Sequence, residues 1–179
     1  MINYFLGVIL KKGIPIVIIC ILVIIFISGC VVFDSIANFK GPEYIPPNFQ
    51  LVKNTTTENS SVLIYRIPNK LTFFAVAAVK DSDKSAITNL TSTMNSNRLS
   101  SNSSNVIKNN GTINVDGHQA ELYTETLNFF GVGISFYDTT WHCDNSGLTI
   151  FSFGLVASSE MGEIKKMLES IKCHRFIFF

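Results

Sequence analysis

The 179-residue sequence predicts an α+β domain, an antiparallel sheet flanked by two helices, behind an apolar N-terminal helix. Three observations predict it. Short apolar runs alternate with polar residues at strand period. Two turn signals, Asp116-Gly117 and Asp144-Asn145-Ser146-Gly147, each separate a pair of such runs. Two segments, 84–99 and 160–172, instead repeat their apolar residues at helical spacing.

In order, residues 34–47 (DSIANFKGPEYIPP) form a Pro-containing tether, because Gly41-Pro42 and Pro46-Pro47 break a helix and favour extended backbone. The domain proper covers 48–179. NFQLV and SVLIYR read as strands around the polar NTTTENS. Val62 and Ile64 alternate there with Leu63 and Tyr65. Asn69-Lys70 turns the chain into Leu71 to Val79, an apolar run long enough for a central strand buried on both sides. Asp81 or Asp83 can cap the first helix, whose apolar face is Ala86, Ile87, Leu90, Met94 and Leu99. From Thr88 to Thr112, 17 of 25 residues are Ser, Thr or Asn, so that helix has a polar exterior and ends in a solvated excursion.

Four more strands are expected over 105–115, 118–127, 134–143 and 148–156, with Ala120, Leu122 and Tyr123 packing and a bend at Gly131-Val132-Gly133. Ser158 or Ser159 is expected to cap the last helix. Its apolar face is Met161, Ile164, Met167 or Leu168, and Ile171, and Glu160 and Glu163 occupy the first turn, where the helix dipole favours acids. The resulting order is β-β-(β)-α-β-β-β-β-α, an α+β class.

Ahead of the domain, residues 14–33 run for 20 positions without a charge, and 20 residues of helix match a hydrocarbon core of about 30 Å. Lys11 and Lys12 precede the run and Asp34 is the first charge after it, so the positive-inside rule puts residues 1–12 in the cytoplasm and the domain outside. Residues 1–33 therefore read as a retained membrane anchor, a lipoprotein-type signal or a cleaved signal. The run is longer than a usual signal core, which favours retention. Ile27-Ser28-Gly29-Cys30 resembles a lipoprotein signal, with Cys30 as the lipidated residue. All three alternatives predict a domain at or beyond the outer face of the cell membrane.

After Lys12 the chain carries 12 cationic and 13 acidic residues, with no basic stripe and no acidic tail. Nucleic acid is therefore not an expected partner. No G-x-S-x-G, phosphate loop or dinucleotide fingerprint occurs, so no enzyme activity, no catalytic residue and no cofactor is expected.

The Pro46-Pro47-Asn48-Phe49 entry, the Val115-Asp116-Gly117-His118-Gln119-Ala120 hairpin and the closing helix Ile164 to Ile171 resemble the PsbP/Mog1-like α/β/α sandwich. Thr140-Trp141-His142-Cys143 and Glu169-Ser170-Ile171-Lys172-Cys173-His174 also resemble small uncharacterised membrane-anchored proteins of methane-producing archaea. The resemblance implies a fold for residues 46–174. PsbP supports photosystem II with Ca²⁺ and Cl⁻ and Mog1 binds a GTPase, but no partner-site residue of either matches here, and the fold hosts unrelated functions.

Outside the cytoplasm an isolated pair of cysteines in one domain reads as a disulfide, which makes Cys143 and Cys173 the expected bond. The alternative is a metal or small-solute site built from His142, Cys143, Cys173 and His174, the ligand types of tetrahedral zinc. Adjacent strand residues point to opposite faces, which argues against His142 and Cys143 sharing one ion, and no metal is expected. Trp141 beside His142 is a candidate binding anchor, with a core position as its structural reading. Asn54, Asn59, Asn89, Asn102 and Asn110 head N-x-[ST] triplets in polar segments, candidate glycosylation sites on an extracellular surface. The expectation is a membrane-tethered, extracytoplasmic binding or assembly module for an envelope protein or surface polymer.

Overall fold

The computed structural model describes residues 36, 39–98, 106–129, 132–144 and 146–172. Among these residues seven strands form one antiparallel sheet: β1 (Gln50–Thr56), β2 (Ser60–Arg66), β3 (Phe73–Lys80), β4 (Val106–Val115), β5 (His118–Phe129), β6 (Val132–Cys143) and β7 (Leu148–Ala157). The helices are α1 (Lys84–Asn97) and α2 (Met161–Glu169), the latter entered through a 3₁₀ turn, Ser158–Glu160. Among the described residues no helix is long and apolar enough to cross a membrane, and the expected span 14–33 lies outside them.

The sheet order is β1-β2-β3-β7-β6-β5-β4. Two meanders, β1-β2-β3 and β4-β5-β6-β7, are therefore joined along a central β3–β7 seam, and Leu71 to Val79 does supply a central strand. β3 pairs with β7 from Phe73↔Leu155 to Lys80↔Leu148. At the β4–β5 hairpin Asp116 (φ 50°) and Gly117 (φ 88°) both take positive φ, the conformation that an Asp-Gly type I′ turn requires.

The two faces of the sheet are covered unequally. The first face packs Leu63, Tyr65, Phe74, Val76, Val115, Leu122, Tyr137, Ile150 and Val156 against Ile164, Met167, Leu168 and Ile171 of α2 and its C-terminal turn. All four of those helix-side residues are fully buried. At roughly 1.5–3 kcal/mol for each large apolar side chain removed from water, α2 is an integral wall of the core. In β2 it is Leu63 and Tyr65 that face this core, while Val62 is buried on the opposite face and Ile64 is only half-buried. Both sides of a central sheet carry apolar residues, so alternation by itself does not say which side is the core.

The second face carries α1. Asp83 caps it, its Oδ1 accepting from Ala86 N at 3.0 Å. Of its expected apolar face only Met94 is buried; Ala86, Ile87 and Leu90 are half-buried, and Leu99 lies outside the described residues. The expected Ser158 or Ser159 cap on α2 is not made. The Ser158 hydroxyl instead lies 2.8 Å from that of Ser135, and no side chain caps the helix.

Residues 41–49, read from sequence as the end of a tether and the start of the domain, are docked along α2. Pro42 bridges Ile171, Glu43 N donates to Ser170 O at 3.3 Å, and Tyr44 N donates to Ser170 Oγ at 3.0 Å. The Tyr44 hydroxyl also bonds Glu163, and Phe49 is buried just before β1 begins.

Candidate functional site

Of the residues singled out from sequence, Trp141, His142 and Cys143 lie among the described residues and do not share one face. Trp141, His142 and Cys143 close β6, where consecutive side chains alternate between faces. Trp141, 4% exposed, lies in the first-face core, the second of the two readings given for it above, because its strand position aims the indole inward on the same face as Cys143. Cys143 is fully buried and carries no free thiol. His142 projects the other way and is half-exposed, its Nδ1 3.3 Å from Asp81 Oδ1 and its Nε2 3.2 Å from Asp144 Oδ1. Thr149 Oγ1 donates to the same Asp81 oxygen at 2.7 Å. Cys173 and His174 lie outside the described residues. Among the described residues no group of three or more His, Cys, Asp and Glu side chains is placed to hold a metal ion.

The charged cluster that the structure does assemble sits on the second face, at the C-terminal end of α1. Asp138 in β6 lies opposite Tyr123 in β5, and Glu125 follows two residues along β5 on the same face. Both carboxylates are 1% exposed. Two cations reach in from opposite sides. Arg98, the C-cap of α1, donates from Nη2 to Asp138 Oδ1 at 2.7 Å and from Nε to Asp138 Oδ2 at 3.2 Å. Lys108, from edge strand β4, sits 3.4 Å from Glu125. Tyr123 lies between them, its hydroxyl donating to Glu125 and its ring 4.4 Å beneath the Arg98 guanidinium.

Electrostatics follow from that packing. Burial pushes the Asp138 carboxyl above its ordinary value, and the Arg98 hydrogen bonds and charge only partly pull it back. Burial and the bond to Glu125 push the Tyr123 phenol up to about 12, so it remains a donor at neutral pH. Its bond to Asp138 pushes the Arg98 guanidinium up in turn. Both oxygens of the Asp138 carboxylate are engaged by Arg98, and the Tyr123 phenol is held protonated. What this arrangement does well is hold shape and present polar groups.

Around the cluster the same face offers half-buried aromatic and aliphatic side chains, Phe73, Phe136, Phe153, Leu155 and Ile134. Phe73 and Phe153 meet edge-to-face with ring centroids 6.3 Å apart. Nothing in the sequence pointed to Arg98, Tyr123, Glu125 or Asp138 as a unit. The one usable signal was the acidic pair Glu125 and Asp138 inside otherwise strand-like runs, where an unpaired buried charge is costly and a cation must therefore come from elsewhere. No family model and no curated protein sequence matches the chain.

Proposed function

We propose that the chain is a membrane-tethered, extracytoplasmic, non-enzymatic binding or assembly module of PsbP/Mog1-like fold. Residues 14–33 hold it at the cell membrane as a retained helix, or a lipid on Cys30 does so in their place. It recognises an envelope protein or surface polymer through the second face of its sheet. The observation that carries this reading is the asymmetry of the two faces. One is sealed by α2, whereas the other combines half-buried aromatics with a ring of fixed polar groups beside a helix that, among its described side chains, buries only Met94. Protein-binding surfaces typically join aromatic anchors to arginine and tyrosine in this way.

The test is a photo-crosslinking residue at Phe153, on the second face, compared with one at Lys165, on the exposed side of α2, in the full chain in its own membranes. A discrete adduct from position 153 and none from 165 is expected. Adducts from 165 alone, or from neither, would sink the reading. Cys143 is proposed to pair with Cys173, which would tie the end of β6 to the segment after α2. The absence of a free thiol at Cys143 supports that pairing. The opposed directions of His142 and Cys143 leave the metal-carrier reading without support.

A further inference from the structure

The four described N-x-[ST] triplets are sorted by the fold. Asn54, Asn59, Asn89 and Asn110 are all exposed. Asn59 lies in the β1–β2 turn, and its hydroxyl partner two residues on, Ser61, is buried and 3.2 Å from Thr56 Oγ1. Asn89 is within α1, where residues i and i+2 point about 200° apart around the helix axis. Asn54 and Asn110 differ from both. Each lies in a strand with its threonine, Thr56 or Thr112, two residues on, so that amide and hydroxyl stand side by side on one face. Both threonines are exposed as well, and Thr56 Oγ1 is the partner in that 3.2 Å contact with the buried Ser61, so burial rather than the contact separates the two triplets.

Among the described residues those two strands, β1 and β4, are the edges of the sheet. An open edge offers unpaired N–H and C=O groups to any passing strand, and soluble proteins blunt such edges. β1 is blunted already, by a register shift between Leu51 and Lys53. β4 has no register shift, and its one charged side chain, Lys108, is drawn to Glu125. Its ten residues pair with β5 in unbroken register, and Ile107 near its start is 60% exposed. A strand added beside β4 would lie about 4.8 Å away, within the volume that a sugar on Asn110 would fill.

We propose that the domain is N-glycosylated at Asn54 and Asn110, and that the Asn110 glycan guards the β4 edge against strand addition. The inference rests on the extracytoplasmic reading above. The transfer joins the asparagine amide nitrogen to the anomeric carbon of a polyprenyl-phosphate- or diphosphate-linked sugar. The lipid phosphate leaves, and the amide loses one proton.

Full-length chain from its own membranes is digested and its glycopeptides are sequenced by mass spectrometry, while intact cells are treated in parallel with external protease. Asn54 and Asn59 share the tryptic peptide between Lys53 and Arg66, so fragmentation must assign the sugar. Sugar on Asn54 and Asn110, with Asn59 and Asn89 bare, is the expected result. Bare Asn54 and Asn110 in a chain that protease removes overturns the inference and leaves the location standing. A bare chain protected from protease overturns both. Sugar confined to Asn59 or Asn89 overturns the sorting by fold. For the guarding role, N110Q from the same membranes is compared with the parent by sedimentation. A shift to larger species is expected, and unchanged sedimentation would overturn that role.

Discussion

Arg98, at the C-cap of α1, places two guanidinium nitrogens on the carboxylate of Asp138 in the middle of β6, at 2.7 and 3.2 Å. This pair fastens a polar helix in which, among the described side chains, Met94 alone is buried. The two partners are not equally placed, because Arg98 is 39% exposed and Asp138 only 1%.

Removing the cation should therefore cost more than removing the acid. Arg98→Met keeps the apolar stem but strands a buried carboxylate, and should lower stability by about 2 kcal/mol. Asp138→Asn leaves an acceptor in place and returns an already half-wet arginine to water, for about 1 kcal/mol. Urea midpoints with unchanged slopes measure both. Equal losses would show that the stranded acid finds another partner.

The pH dependence of stability should carry two opposed acidic contributions. Asp138 titrates above the ordinary carboxylate value of 3.8 in the folded chain, so the fold binds its proton more tightly than the unfolded chain does. Its contribution is greatest below 3.8 and is lost as pH rises through the raised value. Glu160 behaves in the opposite sense. Burial pushes its carboxyl up, but bonds from Lys70 at 2.8 Å and Thr72 at 2.9 Å outweigh burial and hold it below 4.5. Its contribution is present above 4.5 and is lost as pH falls through the lowered value. In urea midpoints taken from pH 3 to 7, Asp138→Asn should remove a decline on rising pH, and Glu160→Gln should remove part of the loss on acidification.

Two glycines should respond to alanine with opposite signs. A methyl at Gly154 would collide with the Phe73 carbonyl oxygen and lie 2.6 Å from the Tyr137 ring, so Gly154→Ala should cost about 3 kcal/mol. A methyl at Gly162, inside α2, meets nothing within 4 Å and removes backbone freedom from the unfolded chain. Gly162→Ala should add about 0.5–1 kcal/mol. Thermal melts of the two variants against the parent decide the matter.

If Cys143 and Cys173 are bonded, the closed loop of 30 residues contributes about 3–4 kcal/mol in the loop-entropy account. Reductant should lower the urea midpoint correspondingly, and both sulfurs should alkylate only after reduction. Free alkylation of the unreduced chain would exclude the bond.

Much of the architecture was legible in the chain because local chemistry wrote it. Asp116-Gly117 marked a hairpin through its backbone preference, and Asp83 capped α1 as its spacing suggested. The helical spacing of Ile164, Met167, Leu168 and Ile171 marked the face that meets the core. What escaped was set by distance along the chain. Nothing near Phe73 announces that its neighbour will be Leu155, and nothing near Arg98, at the end of an Asn/Ser/Thr tract, announces Asp138 forty residues on. Ser158 looked like a cap by position, yet its hydroxyl is drawn to Ser135 across the sheet. Trp141 carried the chemistry of an anchor, and strand parity turned it inward.

The β3–β7 seam joins two strands that lie far apart in the order of synthesis. β3 is the most apolar strand, and its second hydrogen-bonding neighbour is encoded 68 to 82 residues later, close to the C-terminus. Until β7 exists, one edge of β3 has no strand to pair with, and α2, which seals the first face, is synthesised later still. Pairings so remote in sequence form slowly and leave apolar surface exposed in the interim. On the proposed extracytoplasmic reading, a chain exported from its N-terminus would cross the membrane unfolded and close its sheet only after β7 has emerged, with the hazard of aggregation falling on the far side.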